Sequence, residues 1–278
     1  MRLKQLHKAQ RWVDEAVFYQ ECWRPELNRV LYNTEMMQNV VHAFMELGMW
    51  QEAYDLQLDI NAIYTRDNED NLDGLVHLAR ILNQIGKPIE SLETIQYGRA
   101  RPQSTPYRNQ FDYLEGRAQF KLANLDDARR AFAKAAVADE TKTLASLWLN
   151  FTRAEAGLCE EAKPALKAFH ASSQNIEGLE LTREEILLAY NRCLLNEGDY
   201  PSVIQIAKEI SLMTDEPIYN EEAGYQSSLA AYRNASETDL PSSFKADPFW
   251  QQMIEVKKET QAVEDRARGR NTPASTAP

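Results

Sequence analysis

The chain has 278 residues, of which 44% are hydrophobic and 26% are charged, so it can bury a sizeable core. Its net charge of −11 at pH 7, without a long run of lysine and arginine, argues against nucleic acid as a partner. Its longest apolar runs last only a few residues, which argues against membrane spans and against a membrane as partner.

The first predicted helix covers residues 1–24 and ends before Pro25. Its apolar face contains Leu6, Ala9, Trp12, Val13, Ala16 and Val17. Because the segment from Trp12 to Ala16 is like the second helix of a hairpin, we expect either a single helix or a partial hairpin here.

A short turn signature then recurs five times and divides most of the chain into helical hairpins. Its small residues stand 38, 37, 34 and 41 positions apart, at Gly48, Gly86, Ala123, Gly157 and Gly198. A small residue suits a helix end because glycine adopts a left-handed backbone most easily. In four of the five copies an acidic residue opens the second helix, where it complements the helix dipole. A period in this range predicts stacked hairpins that hold another protein.

Each of the five predicted hairpins has a first and a second helix. The pairs cover residues 26–47 and 50–65, 71–85 and 88–99, 106–122 and 125–137, 141–156 and 159–170, and 183–197 and 200–213. Polar, turn-forming stretches at residues 66–71, 101–106 and 172–178 separate successive hairpins.

The last part of the chain predicts helices of a different kind. One helix is expected at residues 220–234, and Asp247 followed by Pro248 is a good start signal for another. The first turns of that last helix carry Phe249, Trp250, Met253 and Ile254. The helix becomes charged after Lys257, and this grading suits a cap over the last hairpin.

These elements predict four parts in the chain. They are an N-terminal helix or partial hairpin at 1–33, five hairpins at 34–217, capping helices at 218–268 and a disordered tail at 269–278.

The hairpins resemble the tetratricopeptide repeat, a 34-residue helical hairpin. In that family the twentieth place is small and the twenty-fourth is large and apolar. The twentieth places here hold Ala53, Ser91, Ala128, Ala162 and Val203. The twenty-fourth places hold Gln57, Ile95, Phe132, Leu166 and Ala207. A small twentieth residue has a physical reason, since a longer side chain would separate the two helices where they cross.

Gln57 departs from the family pattern. Either the second helix of the first hairpin keeps its register with Gln57 inside, or it is rotated so that Leu56 and Leu58 fill the gap. The resemblance implies an all-α fold, a right-handed solenoid of stacked helix-turn-helix hairpins with a C-terminal capping helix.

The resemblance also implies a binding groove, because first helices of tetratricopeptide hairpins line a concave surface. The ninth places, which face it, hold His42, Arg80, Arg117, Phe151 and Arg192. The neighbouring groove places that complete the expected partner-binding set hold Asn83, Gln84, Tyr113, Phe120 and Lys121. Arginines grip carboxylates with two hydrogen bonds, and aromatic rings serve as apolar anchors. We therefore expect a protein or peptide partner that is acidic or ends in a carboxylate.

An internal role for the three groove arginines is an alternative. Arg80, Arg117 and Arg192 could instead pair with acids of this chain, such as Glu115 or Glu185.

The sequence carries none of the common catalytic, cofactor or metal motifs. The four histidines lack the HxxxH and HExxH spacings of zinc sites, and neither a GxSxG elbow nor a glycine-rich phosphate loop is present. We therefore expect no catalytic, cofactor-binding or metal-binding residues.

A scaffold or adaptor that binds a partner segment in its groove is the favoured function. The alternative is a regulatory or assembly subunit that docks through its convex or terminal surface, and an α-helical enzyme is the least favoured class. Because the N-terminus has no apolar signal core, we expect a cytoplasmic protein, or an exported one whose leader has been removed.

Overall fold

The computed structural model of the protein describes residues 11–23, 34–67, 71–139, 141–172 and 180–234. Within these ranges the chain is helical and forms no strand. The α-helices of this part are α1 (Trp12–Phe18), α2 (Thr34–Glu46), α3 (Trp50–Asp67), α4 (Leu72–Gln84), α5 (Pro88–Arg99), α6 (Arg108–Lys121), α7 (Leu125–Ala135), α8 (Lys142–Glu155), α9 (Cys159–Ala171), α10 (Arg183–Glu197), α11 (Tyr200–Met213) and α12 (Pro217–Asn234).

The chain divides into two compact units, at residues 1–190 and 191–278. In the first unit, α2 packs on α3, α4 on α5, α6 on α7 and α8 on α9, so consecutive helices form four hairpins. Successive hairpins are joined by contacts of α3 with α4, α5 with α6 and α7 with α8. The first helices α4 and α6 also touch directly. In the second unit, α11 packs on α12. This consecutive pairing confirms the all-helical prediction and the first four of the five predicted hairpins.

The five predicted turns all have a left-handed residue at their centre. The φ angles are 71° at Gly48, 77° at Gly86, 60° at Ala123, 76° at Gly157 and 84° at Gly198. The left-handed backbone lets the amide of the following residue donate to a carbonyl in the last turn of the first helix. After Gly157, for example, Leu158 N donates to Arg153 O at 2.8 Å. Ala123 adopts this backbone despite its Cβ atom, and its φ is the smallest of the five.

The second helices bury the residues that the repeat pattern places at the helix crossings. Each of Ala53, Ser91, Ala128, Ala162 and Val203 is fully buried. Gln57 is fully buried too, with its amide nitrogen 3.0 Å from Asn61 Oδ1, while Leu58 is exposed. Gln57 therefore lies inside the first hairpin. Leu56 is buried beside it, but Leu58 does not fill the gap as the rotated alternative requires.

Glycines allow aromatic rings to lie against helix backbones. An added Cβ would lie 2.5 Å from Phe111 Cζ at Gly98 and 2.6 Å from Phe132 Cδ1 at Gly116. Both rings are fully buried. The contact of Phe111 with Gly98 joins two hairpins, whereas Phe132 and Gly116 belong to the two helices of one hairpin.

Most helix bounds agree with the sequence prediction to within about two residues, as is usual for helix ends. Pro88–Arg99, Arg183–Glu197 and Tyr200–Met213 match it to the residue. The sixth helix begins later than predicted because Thr105–Tyr107 form a 3-10 turn before it. The last described helix begins three residues earlier than predicted, at Pro217.

The predicted apolar face of the first helix is partly wrong. Val13 and Val17 are exposed, whereas Ala16 and Tyr19 are buried. The helix passes into a π-helical turn at Tyr19–Trp23. The ring of Tyr19 packs edge-on against Phe44 with centroids 5.9 Å apart, and a ring buries more apolar area than a valine.

Several predictions fall outside the described residues. They concern residues 1–10, the capping helix from Asp247 with Phe249, Trp250, Met253 and Ile254, and the tail at 269–278.

In the described part of the chain, no helix combines the length and the apolar composition needed to cross a lipid bilayer.

Candidate functional site

Two arginines from successive first helices meet on one carboxylate. Arg80 on α4 places its Nε 3.2 Å from Glu180 Oε1, and Arg117 on α6 pairs through Nη1 with Glu180 Oε2. Glu180 belongs to neither helix and lies just before α10. The two oxygens of one carboxylate are thus divided between two guanidinium groups.

Arg117 is a buried cation, with only 3% of its surface exposed. Its guanidinium lies over the ring of Trp148 on α8, 4.6 Å from the centroid. Burial lowers the pKa of Arg117, with Arg80 acting in the same direction, while the Tyr113 side chain and the Glu185 carboxylate raise it. A guanidinium stays protonated in proteins, so this charge requires a negative partner.

Aromatic side chains form one side of the site. Phe120 packs against Trp148 at 5.4 Å and against Phe151 at 5.5 Å between ring centroids. Tyr113 is 9% exposed and lies 6.0 Å from the ring of Phe132. The two predicted apolar anchors, Tyr113 and Phe120, therefore contact other rings of the hairpins, and this packing holds Trp148 beneath Arg117.

Lys121 and Asn83 also link α4 and α6, through hydrogen bonds to backbone carbonyls. Lys121 Nζ donates to the carbonyl oxygen of Asn83 at 2.5 Å, and Asn83 Nδ2 donates to the carbonyl oxygen of Leu114 at 3.0 Å. Burial and the charge of Arg117 lower the pKa of Lys121. Asn83 is itself buried, and Gln84, the next residue, is half-buried.

The structure therefore brings four of the predicted residues together: Arg80, Arg117, Lys121 and Asn83 lie where α4 meets α6. His42 lies on another first helix, α2, with Nε2 3.7 Å from Glu46 Oε1 and its ring 5.2 Å from that of Trp12. Arg192 belongs to the second unit, where its Nη1 lies 3.7 Å from Glu222 Oε1.

Glu180 and Trp148 are the site residues that sequence reasoning missed. The internal acids expected for the arginines were Glu115 and Glu185, but Glu115 pairs with Arg99 at 2.7 Å. Glu185 acts on Arg117 only through its charge and accepts a hydrogen bond from Thr182 N at 2.7 Å. Arg80 and Glu180 are separated by 100 residues, and no local pattern connects positions so far apart.

The four histidines lack the spacing of a zinc site in the sequence. In the ranges that the structure describes, no group of three or more histidine, cysteine, aspartate or glutamate side chains is arranged to hold a metal ion. His77 Nδ1 lies 3.0 Å from Gln38 Oε1. Burial, with the nearby His42 and Arg80, lowers the pKa of His77 to about 4, against the effect of Asp73.

A basic concavity lies between α7 and α8. Its volume is about 360 Å³, and it is lined by Asp126, Arg129, Arg130, Ala133, Leu149 and Arg153. Each arginine there already has a nearby acid, since Arg129 pairs with Asp126, Arg130 with Asp127 and Arg153 with Glu161. Exposed pairs of this kind contribute little and do not define a ligand.

No protein-family model matches this chain, and no curated protein is significantly similar to it in sequence.

Proposed function

We propose that this protein is a scaffold or adaptor of the tetratricopeptide type, which binds an acidic or carboxylate-ended segment of a partner protein. The proposed binding surface is the first-helix surface, defined as the face of α4 and α6 that carries Arg80, Arg117, Lys121 and Asn83. The observation that carries the proposal is the convergence of Arg80 and Arg117 on the carboxylate of Glu180. Two helices that supply one cation each to a single carboxylate have the chemistry needed to bind another.

The buried helix-crossing residues and the five left-handed turns support the assignment to the tetratricopeptide type. We extend it to a right-handed stacking of the hairpins and to a capping role for the helix expected after Asp247. The proposed compartment is the cytoplasm, or the exterior after loss of a leader.

Charge reversal at Arg80 tests the proposal. Arg80 is the accessible member of the pair, with 33% of its side chain exposed, so Arg80→Glu alters the surface with little loss of buried packing. The wild-type protein, this variant and Arg130→Glu would each be used to capture partners from the native host, with mass spectrometry at moderate salt. Arg130 is an exposed arginine on the second helix α7 and provides the matched control.

We expect the wild type and Arg130→Glu to retain the same partner. Arg80→Glu should bind it more weakly by about 1–3 kcal/mol, as the loss of a charge-assisted pair implies. Equal retention by all three would contradict binding on the first-helix surface.

A second candidate function is a regulatory or assembly subunit that docks through its terminal helices. It is favoured by apolar side chains that the second unit exposes on α11 and α12, namely Ile204, Leu212, Met213, Ile218 and Tyr225. Exposed apolar groups in one region are typical of protein interfaces. In the same capture experiment, Leu212→Ser with Ile218→Ser would abolish binding under this function and leave it unchanged under the first.

A further inference from the structure

The position of Glu180 in the chain distinguishes it from the groups that contact it. Arg80 and Arg117 are fixed on helices, whereas Glu180 lies three residues before the nearest helix, which begins at Arg183. Its side chain is 13% exposed, and that of Arg80 is 33% exposed, so one side of the ion pair is open to water. Arg117 closes the other side, over the ring of Trp148.

We propose that Arg80 and Arg117 form a carboxylate subsite and that Glu180 fills it in the free protein as an internal ligand, which a partner's carboxylate must displace. This inference rests on the proposed function for the identity of the displacing group, which is an acidic side chain or a chain terminus of the partner. The other part of the inference does not depend on any partner. It states that the subsite accepts a carboxylate from outside the two helices.

Displacement is feasible because one carboxylate replaces another. Arg117 is too deeply buried to lose its negative partner without a large cost, so the subsite is never stable when empty. In the exchange both guanidinium groups remain paired, and Trp148 keeps that of Arg117 in place throughout. The balance is then decided by the additional contacts of the partner, against an internal competitor whose effective concentration is high.

The local charge also favours an anion. Without Glu180, the two arginines would stand beside Lys121, which donates to the carbonyl of Asn83 on the same pair of helices. Three cations close together repel one another unless an anion lies among them. A subsite whose two arginines share one carboxylate from outside their own helices is therefore suited to regulation by competition.

Chemical rescue tests the subsite without a known partner. Glu180→Ala removes a CH₂–COO⁻ fragment, which is the shape of acetate. We would measure the melting temperature of this variant in sodium acetate, in sodium chloride of equal ionic strength and in acetamide. The double variant Glu180→Ala with Arg117→Met provides the control that lacks the buried cation.

We expect Glu180→Ala to melt at a lower temperature than the wild type, and about 100 mM acetate to recover about half of that loss by mass action. Chloride and acetamide should recover much less, and neither the wild type nor the double variant should respond to acetate specifically. Equal effects of acetate and chloride on Glu180→Ala would overturn the proposal.

If Glu180→Ala does not fold, Glu180→Gln keeps the shape of the side chain and removes its charge. A tetraglutamate peptide, titrated by calorimetry, should then bind Glu180→Gln about tenfold more tightly than the wild type, since the internal competitor has lost its charge. Equal affinity for the two proteins would overturn the proposal.

The failures of the two proposals are distinguishable. If acetate rescues Glu180→Ala but Arg80→Glu still captures the partner normally, the subsite is real and the proposed function is wrong. If acetate has no specific effect while Arg80→Glu loses the partner, the surface binds that partner and the internal-ligand inference is wrong.

Discussion

The side-chain amide of Asn83 on α4 donates a hydrogen bond to the backbone carbonyl of Leu114 on α6, with 3.0 Å between the two atoms. Lys121 of α6 donates in return to the backbone carbonyl of Asn83. The two bonds run in opposite directions between neighbouring first helices. They fix the spacing at which Arg80 and Arg117 reach one carboxylate, so the packing of the hairpins and the geometry of the site depend on the same residue.

Replacement of Asn83 by Ala should destabilise the protein. Asn83 is buried, and its loss leaves the carbonyl of Leu114 without this donor, which costs about 1–3 kcal/mol. Urea unfolding measures the effect. Gln84→Ala, at the half-buried next position of the same helix, is the matched control and should cost less than about 0.5 kcal/mol. Equal costs would show that the inter-helix bond contributes nothing.

The left-handed turns predict opposite effects for two reciprocal substitutions. Gly86 has φ 77° with open space around an added Cβ, so Gly86→Ala should cost about 1–2 kcal/mol from backbone strain alone. Ala123 already bears that strain at φ 60°, and Ala123→Gly should be stabilising by up to about 1 kcal/mol after the flexibility of glycine is subtracted. Thermal melts of both variants check this, and a destabilising Ala123→Gly would contradict it.

Local rules were sufficient for the hairpins and insufficient for the site. The turn at Gly86 and the buried Ser91 follow from steric rules that operate over a few residues, and Ser91 Oγ also donates to the carbonyl of Ala79 across its hairpin at 2.9 Å. The resemblance to the tetratricopeptide repeat places Arg117 on a first helix, at the ninth place of its hairpin. The acid that pairs with Arg117 could not be predicted, because the position of Glu180 depends on the path of the chain between two hairpins.

The first helix shows a different limit of the sequence argument. A helical wheel ranks Val17 as a core residue, but Val17 is exposed, and a π-helical turn begins two residues later at Tyr19. A ring is then presented to Phe44 in place of the valine. Amphipathic spacing predicts the existence of such a helix better than it predicts which side chains are buried.

Overpacking at a helix crossing should be costly. Ala128 is fully buried on α7, where α6 and α7 pack together. Ala128→Leu adds three carbon atoms at this crossing and should destabilise the protein by about 1–3 kcal/mol. Urea unfolding would show the change, and Ala133→Leu, on the exposed face of the same helix, is the control. A neutral Ala128→Leu would mean that this crossing can move apart freely.

His77 should make stability dependent on pH. Its pKa is about 4 in the folded protein and 6.5 as a free side chain, so the unfolded chain binds the proton more readily between these values. Stability should therefore be complete above about pH 6.5 and should fall as the pH is lowered towards 4, by up to about 3 kcal/mol at 1.4 kcal/mol for each pKa unit.

The charged groups that act on the His77 ring are His42, Asp73 and Arg80, and none of them is altered by His77→Gln. This variant keeps a polar side chain beside Gln38 and removes the titration. Urea unfolding at pH 5, 6 and 7 should show a smaller slope for His77→Gln than for the wild type. Parallel curves would assign the acid sensitivity to other groups.

The ion pair of Arg117 and Glu180 predicts an asymmetry between its two partners. Glu180→Ala leaves the cation of Arg117 buried, with 3% exposure, and should cost about 3–5 kcal/mol. Arg117→Met leaves Glu180 beside Arg80, which is partly exposed and still pairs with it, so the cost should be smaller. The methionine stem can also replace the guanidinium against Trp148.

The double variant should then be more stable than Glu180→Ala alone, because it removes both the acid and the buried charge that the acid neutralised. A coupling energy of about 1–3 kcal/mol from the four melting curves would measure the interaction. Circular dichroism at 222 nm provides those curves and reports whether each variant is folded. Additive effects would mean that Glu180 does not neutralise Arg117, and the carboxylate subsite would then lose its physical basis.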